Sequence, residues 1–440
     1  MLTLRYFFRL LIAFFSRFKG LLLISAVLGI AFFVFLRLIA PNFLGKSLEK
    51  IGITGRYHAD NLPGFILEMA GDGLTKLNEN GIAEPSLASS WETPDRGKTW
   101  IFHLSENIFW QDGKEVTSET VKYEFSDVEL EIPDDKTLIF KLQSPFSPFP
   151  TVVSKPTFRK GLLGTGEWEA TKVRVAGGYV QELILVNAEK DKKIYKFYPT
   201  EERAKLAYKL GQVDILLNVF NPAPLDSWKT TNVITETNTG QIVSIFFNVQ
   251  DKLLSEKSLR QALTYAIDKK TFDGERAFGP ISPNCWAHNP QVKSYLYDAA
   301  KAKNIIDDLP EEQKEDLSIK LVTTPILLPV AEKIASYWDE IGVKTILQVS
   351  SGIPNDYQAL LAVLDIPKDP DQYSIWHSTQ IATNISNYQN PRIDKLLEDG
   401  RVELELEERR KLYLDFQRFL VEDSPAAFLY HPTSYKIIRK

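Results

Sequence analysis

The chain has 440 residues, 44% hydrophobic and 25% charged, an ordinary globular composition with room for two or three lobes that each hold a core. The formal charge of −5 is unevenly spread: residues 1–46 carry Arg5, Arg9, Arg17, Lys19, Arg37 and Lys46 and no acid, so the remainder is acidic, which argues against nucleic-acid binding by the body. The single cysteine, Cys285, excludes an intrachain disulfide.

The uncharged run GLLLISAVLGIAFFVFL (20–36) is close to the ~20 residues that cross a bilayer. Before it, YFFRLLIAFF (6–15) reads as an interfacial helix with Arg5, Arg9 and Arg17 at the headgroups. The run ends in RLIAPNFLGK, without a small-residue cleavage site or a cysteine for lipidation. Residues 1–45 are therefore expected to form an uncleaved signal anchor with one transmembrane helix. The positive-inside rule puts Arg5 to Lys19 in the cytoplasm and the body outside, periplasmic or on the cell surface.

In the body, TWIFHLSENIFW (99–110) alternates like a half-buried strand, and QDG (111–113) follows as a tight turn. VTSETVKYEF is expected to open a short helix with Thr117 or Ser118 as its cap. DDKTLIFKL (134–142) reads as a strand, EERAKLAYKLG (201–211) as a helix stopped by Gly211, and VDILLNV (213–219) as a buried strand. QIVSIFFNV (241–249) is a long apolar strand. SEKSLRQALTYAIDKKTF (255–272) is an amphipathic helix capped by Ser255 or Ser258. Residues 317–350 read as a strand–helix–strand unit, 390–423 as a helix pair and 426–438 as a closing strand. Strands alternating with helices predict an α/β fold.

The chemistry of catalysis is absent from this pattern. There is no G-x-S-x-G elbow, H-E-x-x-H, phosphate-binding loop or paired C-x-x-C, and GLLGTGEW (161–168) reads as a turn. The five histidines form no helical i,i+4 pair. A metal site could be assembled from His377 with Asp365, Asp369 and Asp371, and no nucleophile accompanies the carboxylates. The expectation is a binding protein rather than an enzyme, with no cofactor or metal.

Several stretches together resemble the family 5 extracellular solute-binding proteins, the peptide- and nickel-binding components of ABC importers. They are DGLTKLNENGIAEPSLASSWETPDRGKTWIFHLSENIFWQDGKEVTSETVKY (72–123), LGTGEW (163–168), LAYKLGQVDI (206–215), FFNVQDKLLSEKSLRQALTYAIDKKTF (246–272) and DAAKAKNII (298–306). The resemblance implies a two-lobed, type II periplasmic-binding-protein-like clamshell. Lobe 1 is expected over 46–245, completed by 425–440, and lobe 2 over 246–424. Only a few residues separate TSETVKYEF from DDKTLIFKL, so the family's small extra subdomain is expected to be reduced to a stub. The implied partners are ABC permease subunits and a peptide or other small solute, with the chain as a monomer. A nickel chelate or an oligosaccharide as solute, and a non-transport scaffold or chaperone of the same fold, stay open.

The short run DIPKDPDQYSIWHSTQ (365–380) packs three aspartates, two prolines, a tyrosine, a tryptophan and a histidine together. In peptide-binding members an aspartate just before a D-P or E-P loop holds the ligand's α-ammonium. The resemblance makes Asp365 the first candidate, with Asp369 and Asp371 as fallbacks. By residue type alone, Asp369 and Asp371 can equally cap turns around Pro370. Trp376 can line a cleft or fill the core beneath the loop, and His377 can contact ligand or simply bond locally. Tyr57, Asn61 and Leu62, in GRYHADNLP (55–63), fall where the family's first strand meets the ligand.

Overall fold

The computed structural model describes residues 13–20, 24–25, 27–30, 32–33, 47–314, 317–354 and 356–440. The expected interfacial helix (6–15) lies largely outside the described residues, and the transmembrane run (20–36) lies partly outside them. Their described parts are helical, and Ile24, Val27, Leu28, Ile30, Phe32 and Phe33 are each more than half exposed. Among the described residues, no helix is long and apolar enough to cross a membrane.

The strands in chain order begin with β1 (Leu48–Thr54), β2 (Thr75–Leu77), β3 (Ala83–Pro85), β4 (Ala88–Glu92), β5 (Thr99–Leu104), β6 (Val128–Asp134) and β7 (Thr137–Leu142). They continue with β8 (Glu169–Ala176), β9 (Tyr179–Val186), β10 (Lys192–Tyr198), β11 (Ile215–Val219) and β12 (Thr231–Thr237). The second half adds β13 (Gln241–Phe247), β14 (Gly274–Arg276), β15 (Ser318–Thr323), β16 (Lys344–Val349), β17 (Ala359–Asp365) and β18 (Ala426–Arg439).

Most of these join one long sheet, ordered β16-β15-β17-β13-β18-β11-β1-β10-β9-β8. Each end has a parallel centre, since β1 lies parallel to β10 and β11, and β15 parallel to β16 and β17. The two halves are the two lobes, and β18 belongs to both. Its first residues pair with β13 (Phe246↔Ala426 to Val243↔Tyr430), and its last pair with β12 (Thr237↔Thr433 to Thr231↔Arg439). The chain thus crosses between the halves twice, at 238–240 and at 431–433. The whole of β13 lies in the second half, where Ile242 to Phe247 are buried.

Amphipathic helices cover the sheet. Glu201–Lys209 buries Ala204, Ala207 and Tyr208; Thr200 caps it, its side chain accepting from the Arg203 N–H, and Gly211 ends it at φ 71°. Leu328–Glu340 is the crossover between parallel β15 and β16. Its fully buried Trp338 gives its Nε1–H to the Leu263 carbonyl (3.0 Å), so the large ring is buried without an unmet donor. The GTG turn at 164–166 packs under the helix Gly64–Ala70. A Cβ at Gly164 or Gly166 would overlap the carbonyl oxygen of Ala70 or Met69.

A separate antiparallel sheet, β4-β5-β7-β6, sits on the first lobe with its own core of Trp100, Phe102, Phe140 and Phe149. Residues 117–121 form a turn, not the expected helix. Thr120 Oγ1 accepts from the Trp110 indole and the Thr117 N–H, and the chain then runs on so that Tyr123 can donate to the Val153 carbonyl (2.7 Å). A continued helix would carry Tyr123 away from that carbonyl. The helix expected over 255–272 spans only Lys257–Tyr265, preceded by Glu256 rather than a serine cap. A separate 3-10 turn, Lys269–Thr271, follows, and Lys269 Nζ reaches back to the carbonyls of Thr264 and Tyr295.

Candidate ligand site between the lobes

In sheets with parallel centres, ligands sit outside the carboxyl ends of the strands. Here those ends are Thr54, Tyr198 and Val219 in the first lobe and Thr323, Val349 and Asp365 in the second. A cavity of about 220 Å³ lies between the first lobe's strand ends and the crossing segments, lined by Thr54, Tyr57, Phe220, Gln241, Thr433 and their neighbours. It draws on the ends of β1 and β11 and on both crossing segments.

Asp365 is the last residue of β17 and is exposed. Its Oδ1 accepts a hydrogen bond from Gln241 Nε2 (2.7 Å), so it stands beside a residue that lines the cavity. Along β17, β15 pairs only with Ala359 to Leu361, whereas β13 pairs along the whole strand. The Ile366 N–H turns towards the β13 side, where it donates to the Gly240 carbonyl (2.8 Å). Main-chain groups alternate sides along a strand. Those of Val363 and Asp365 therefore face the other edge, beyond the end of β15. Both residues are exposed. The result is a short open strand edge that ends in a carboxylate.

Tyr57 lines the cavity. Its ring packs edge-on against Phe197 at 5.3 Å, and burial pushes its phenol pKa up. Asn61 is exposed in the following turn, where its N–H donates to the His58 carbonyl (3.2 Å). Leu62 is buried in the first lobe's core with Ile66 and Leu183.

The other residues of the 365–380 cluster have protein partners. Asp369 makes a two-pronged pair with Arg409, Oδ2 to Nη1 at 2.8 Å and Oδ1 to Nη2 at 2.6 Å, both side chains buried. Asp371 Oδ2 accepts from Arg401 Nε (2.9 Å), while its Oδ1 accepts the Tyr373 N–H. Trp376 is 1% exposed, tilts against Phe246, meets Phe428 edge-on, and donates its indole N–H to Gln372 (2.8 Å). His377 is buried, stacked on Tyr373 at 4.0 Å between centroids, with Nδ1 2.8 Å from Thr379 Oγ1. The structure thus brings Tyr57 to the hinge cavity, sets Asp365 beside it through Gln241, and gives Asp369, Asp371, Trp376 and His377 to the packing of the second lobe. Among the described residues, no group of three or more His, Cys, Asp or Glu side chains is placed to hold a metal ion.

Residues that sequence reasoning missed stand at the crossings. Gln241 joins Asp365 to Asn238, whose Nδ2 donates to Gln241 Oε1 (3.0 Å). His431, on β18, gives its Nδ1–H to the Gln241 carbonyl (2.8 Å), and burial lowers its pKa. A glutamine opening the mostly apolar strand QIVSIFF, directly after the turn NTG, was the available signal. The lobes also touch directly, through Lys368 Nζ and Glu68 (2.9 Å), the Trp286 N–H and the Asn80 carbonyl (3.0 Å), and the Ser147 N–H and the Arg401 carbonyl (2.6 Å).

Comparison with known sequences settles the family. The profile of "Bacterial extracellular solute-binding proteins, family 5 Middle" matches residues 83–182 and 186–379, more than half of the chain. The chain belongs to this family. As a family 5 solute-binding protein it is similar to the oligopeptide-binding protein AppA of Bacillus subtilis, at 23% identity over 89% of this chain and 86% of that one. The nickel-binding periplasmic protein of Escherichia coli is similar at 24% identity, with 84% of each chain covered. Among solved structures, the ABC transporter substrate-binding protein CtaP of Listeria monocytogenes superimposes with a TM-score of 0.75 at 20% identity, over 90% of this chain and 94% of that one. The two-lobed α/β fold is shared with these proteins.

Proposed function

We propose that this family 5 protein is a membrane-anchored, extracytoplasmic receptor that binds peptides between its lobes and delivers them to the permease subunits of an ABC importer, without catalytic turnover. The carrying observation is the open edge of β17. Main-chain groups at Val363 and Asp365 offer an extended ligand a strand to pair with. The Asp365 carboxylate at its end offers the α-ammonium a charged acceptor. The lobes swing on 238–240 and 431–433, across β17 from that edge, so closure brings Tyr57 and Phe220 towards a bound ligand. The exposed apolar side chains of Ile24, Val27, Leu28, Ile30, Phe32 and Phe33 and the basic residues before them support the anchor.

The alignment with AppA spans 477 residues, more than the whole 440-residue chain, so AppA carries residues with no counterpart here. We place one such loss at the 117–127 turn, which leaves the four-stranded sheet as a reduced subdomain. Similarity to a nickel-binding protein keeps a nickel chelate as the second reading. Native mass spectrometry of the purified full chain separates the two. Peptide adducts, or their appearance on adding a randomised tripeptide mixture, are expected. A nickel-chelate mass, with no peptide adduct at any concentration, would reject the peptide reading.

A further inference from the structure

Every other side chain of β13 serves packing, Ile242 to Phe247 being buried, but Gln241 at its head is held by four hydrogen bonds. Its N–H donates to the Asn238 carbonyl (3.1 Å) and its carbonyl accepts from His431 Nδ1 (2.8 Å). Its side-chain Oε1 accepts from Asn238 Nδ2 (3.0 Å) and its Nε2 donates to Asp365 Oδ1 (2.7 Å). A carboxylate only accepts, so the amide nitrogen must face Asp365 and the amide oxygen then faces Asn238. These bonds fix Gln241 to both crossing segments at once. One Asp365 oxygen is thereby occupied; among the described residues, Oδ2 has no hydrogen-bond partner and stays open for a ligand. The same side chain lines the interlobe cavity with Tyr57 and Phe220.

We infer that Gln241 is the positioning residue that makes the site selective for a free α-ammonium: it orients Asp365 and ties that carboxylate to the turn on which the lobes swing. The inference rests on the peptide-receptor reading above. Without the amide, Asp365 is free to rotate into solvent, and the ligand must hold it in place itself. Selectivity for a charged amino terminus then falls although the carboxylate is still present. Asn238 contributes one step further out, because it fixes which way the Gln241 amide faces.

The test measures binding of a randomised tripeptide mixture and of its N-acetylated counterpart to the full chain, with melting temperature as a control. Gln241→Met keeps the bulk and removes the amide. A hydrogen bond to a charged group supports an expected loss of about ten-fold in affinity for the free peptides. Binding of the acetylated peptides should not move, the melting temperature should fall by only the few degrees that the lost amide bonds cost, and Gln241→Met should add nothing to the loss of affinity in an Asp365→Asn background. Asn238→Ala, an exposed turn change, should lower the same preference by a smaller factor, and it decides the matter if Gln241→Met does not fold. Equal weakening of free and acetylated peptides would make Gln241 merely structural and overturn the inference. So would an unchanged preference in Gln241→Met when Asp365→Asn has lost it. A parent protein that binds neither mixture, or binds both alike, overturns the receptor reading and this inference with it.

Discussion

Asp369→Asn separates a structural carboxylate from a ligand-binding one. The substitution keeps the shape of the side chain and removes its charge. In the parent, Arg409 places Nη1 and Nη2 on the two Asp369 oxygens at 2.8 and 2.6 Å and its Nε on the Gly400 carbonyl at 2.8 Å. Trp286 and Tyr413 close over the guanidinium at 5.5 and 5.3 Å. With the carboxylate gone, a buried guanidinium is left without a counter-charge, which typically costs ~3–5 kcal/mol. For a unit the size of one lobe this lowers the melting temperature by roughly 6–20 °C. Differential scanning calorimetry on parent and variant reads the drop, and titration with the randomised tripeptide mixture below the lower melting point reads binding. The expected result is a large loss of stability with unchanged affinity. A variant that melts like the parent but loses peptide binding would refute the reasoning and return Asp369 to the ligand site.

Other perturbations address the core, the pH response and the anchor. Lys269 is 4% exposed, and burial, reinforced by the nearby Arg276 charge, lowers its pKa to about 6. Its unfolded value is ~10.4, so between those limits the unfolded chain holds a proton that the native chain has released. The parent should therefore gain stability relative to Lys269→Met as pH rises from about 6 towards 10; urea unfolding at several pH values checks this, and a flat or falling difference contradicts it. Trp376→Ala removes a fully buried ring and should cost ~3–5 kcal/mol while leaving the preference for free over acetylated peptides intact; thermal melting and the peptide titration check the two halves. Deleting residues 1–46 should move the protein from the membrane fraction to the soluble fraction with its peptide affinity unchanged; a deleted chain that stays with the membrane would reject the anchor.

Much of the fold was legible because its elements carry their own signals. β5 and β7 alternate apolar and polar residues, and β13 is mostly apolar and buried from Ile242 to Phe247. The helix Pro391–Val402 begins at Asn390, whose side chain accepts from the Arg392 and Ile393 N–H groups. The hairpin pair β8–β9–β10 was not legible, since β8 reads EATKVRVA and is mostly exposed; it is ordered by pairing with β9 rather than by burial. The 117–121 turn escaped because Tyr123 is fixed by Val153, thirty residues on in the chain. In the candidate site, too, distant partners were hidden from the local sequence. The residues of 365–380 are close in sequence, yet Arg409 and Arg401 claim Asp369 and Asp371 from the two following helices. The partner that matters to Asp365, Gln241, lies 124 positions earlier on the neighbouring strand.

The central claim is that Asp365 receives the ligand's α-ammonium. Isothermal titration calorimetry of the full chain and of Asp365→Asn, each with the randomised tripeptide mixture and its N-acetylated counterpart, tests it most directly. Removing one side of a charge pair in a closed cleft costs ~3–5 kcal/mol, which at ~1.4 kcal/mol per decade is a loss of roughly two to three orders of magnitude in affinity. The account predicts that loss for the free peptides, weak binding of the acetylated peptides to the parent, and an unchanged melting temperature. Parent and variant binding free and acetylated peptides alike would contradict it and leave Asp365 as a strand-end residue.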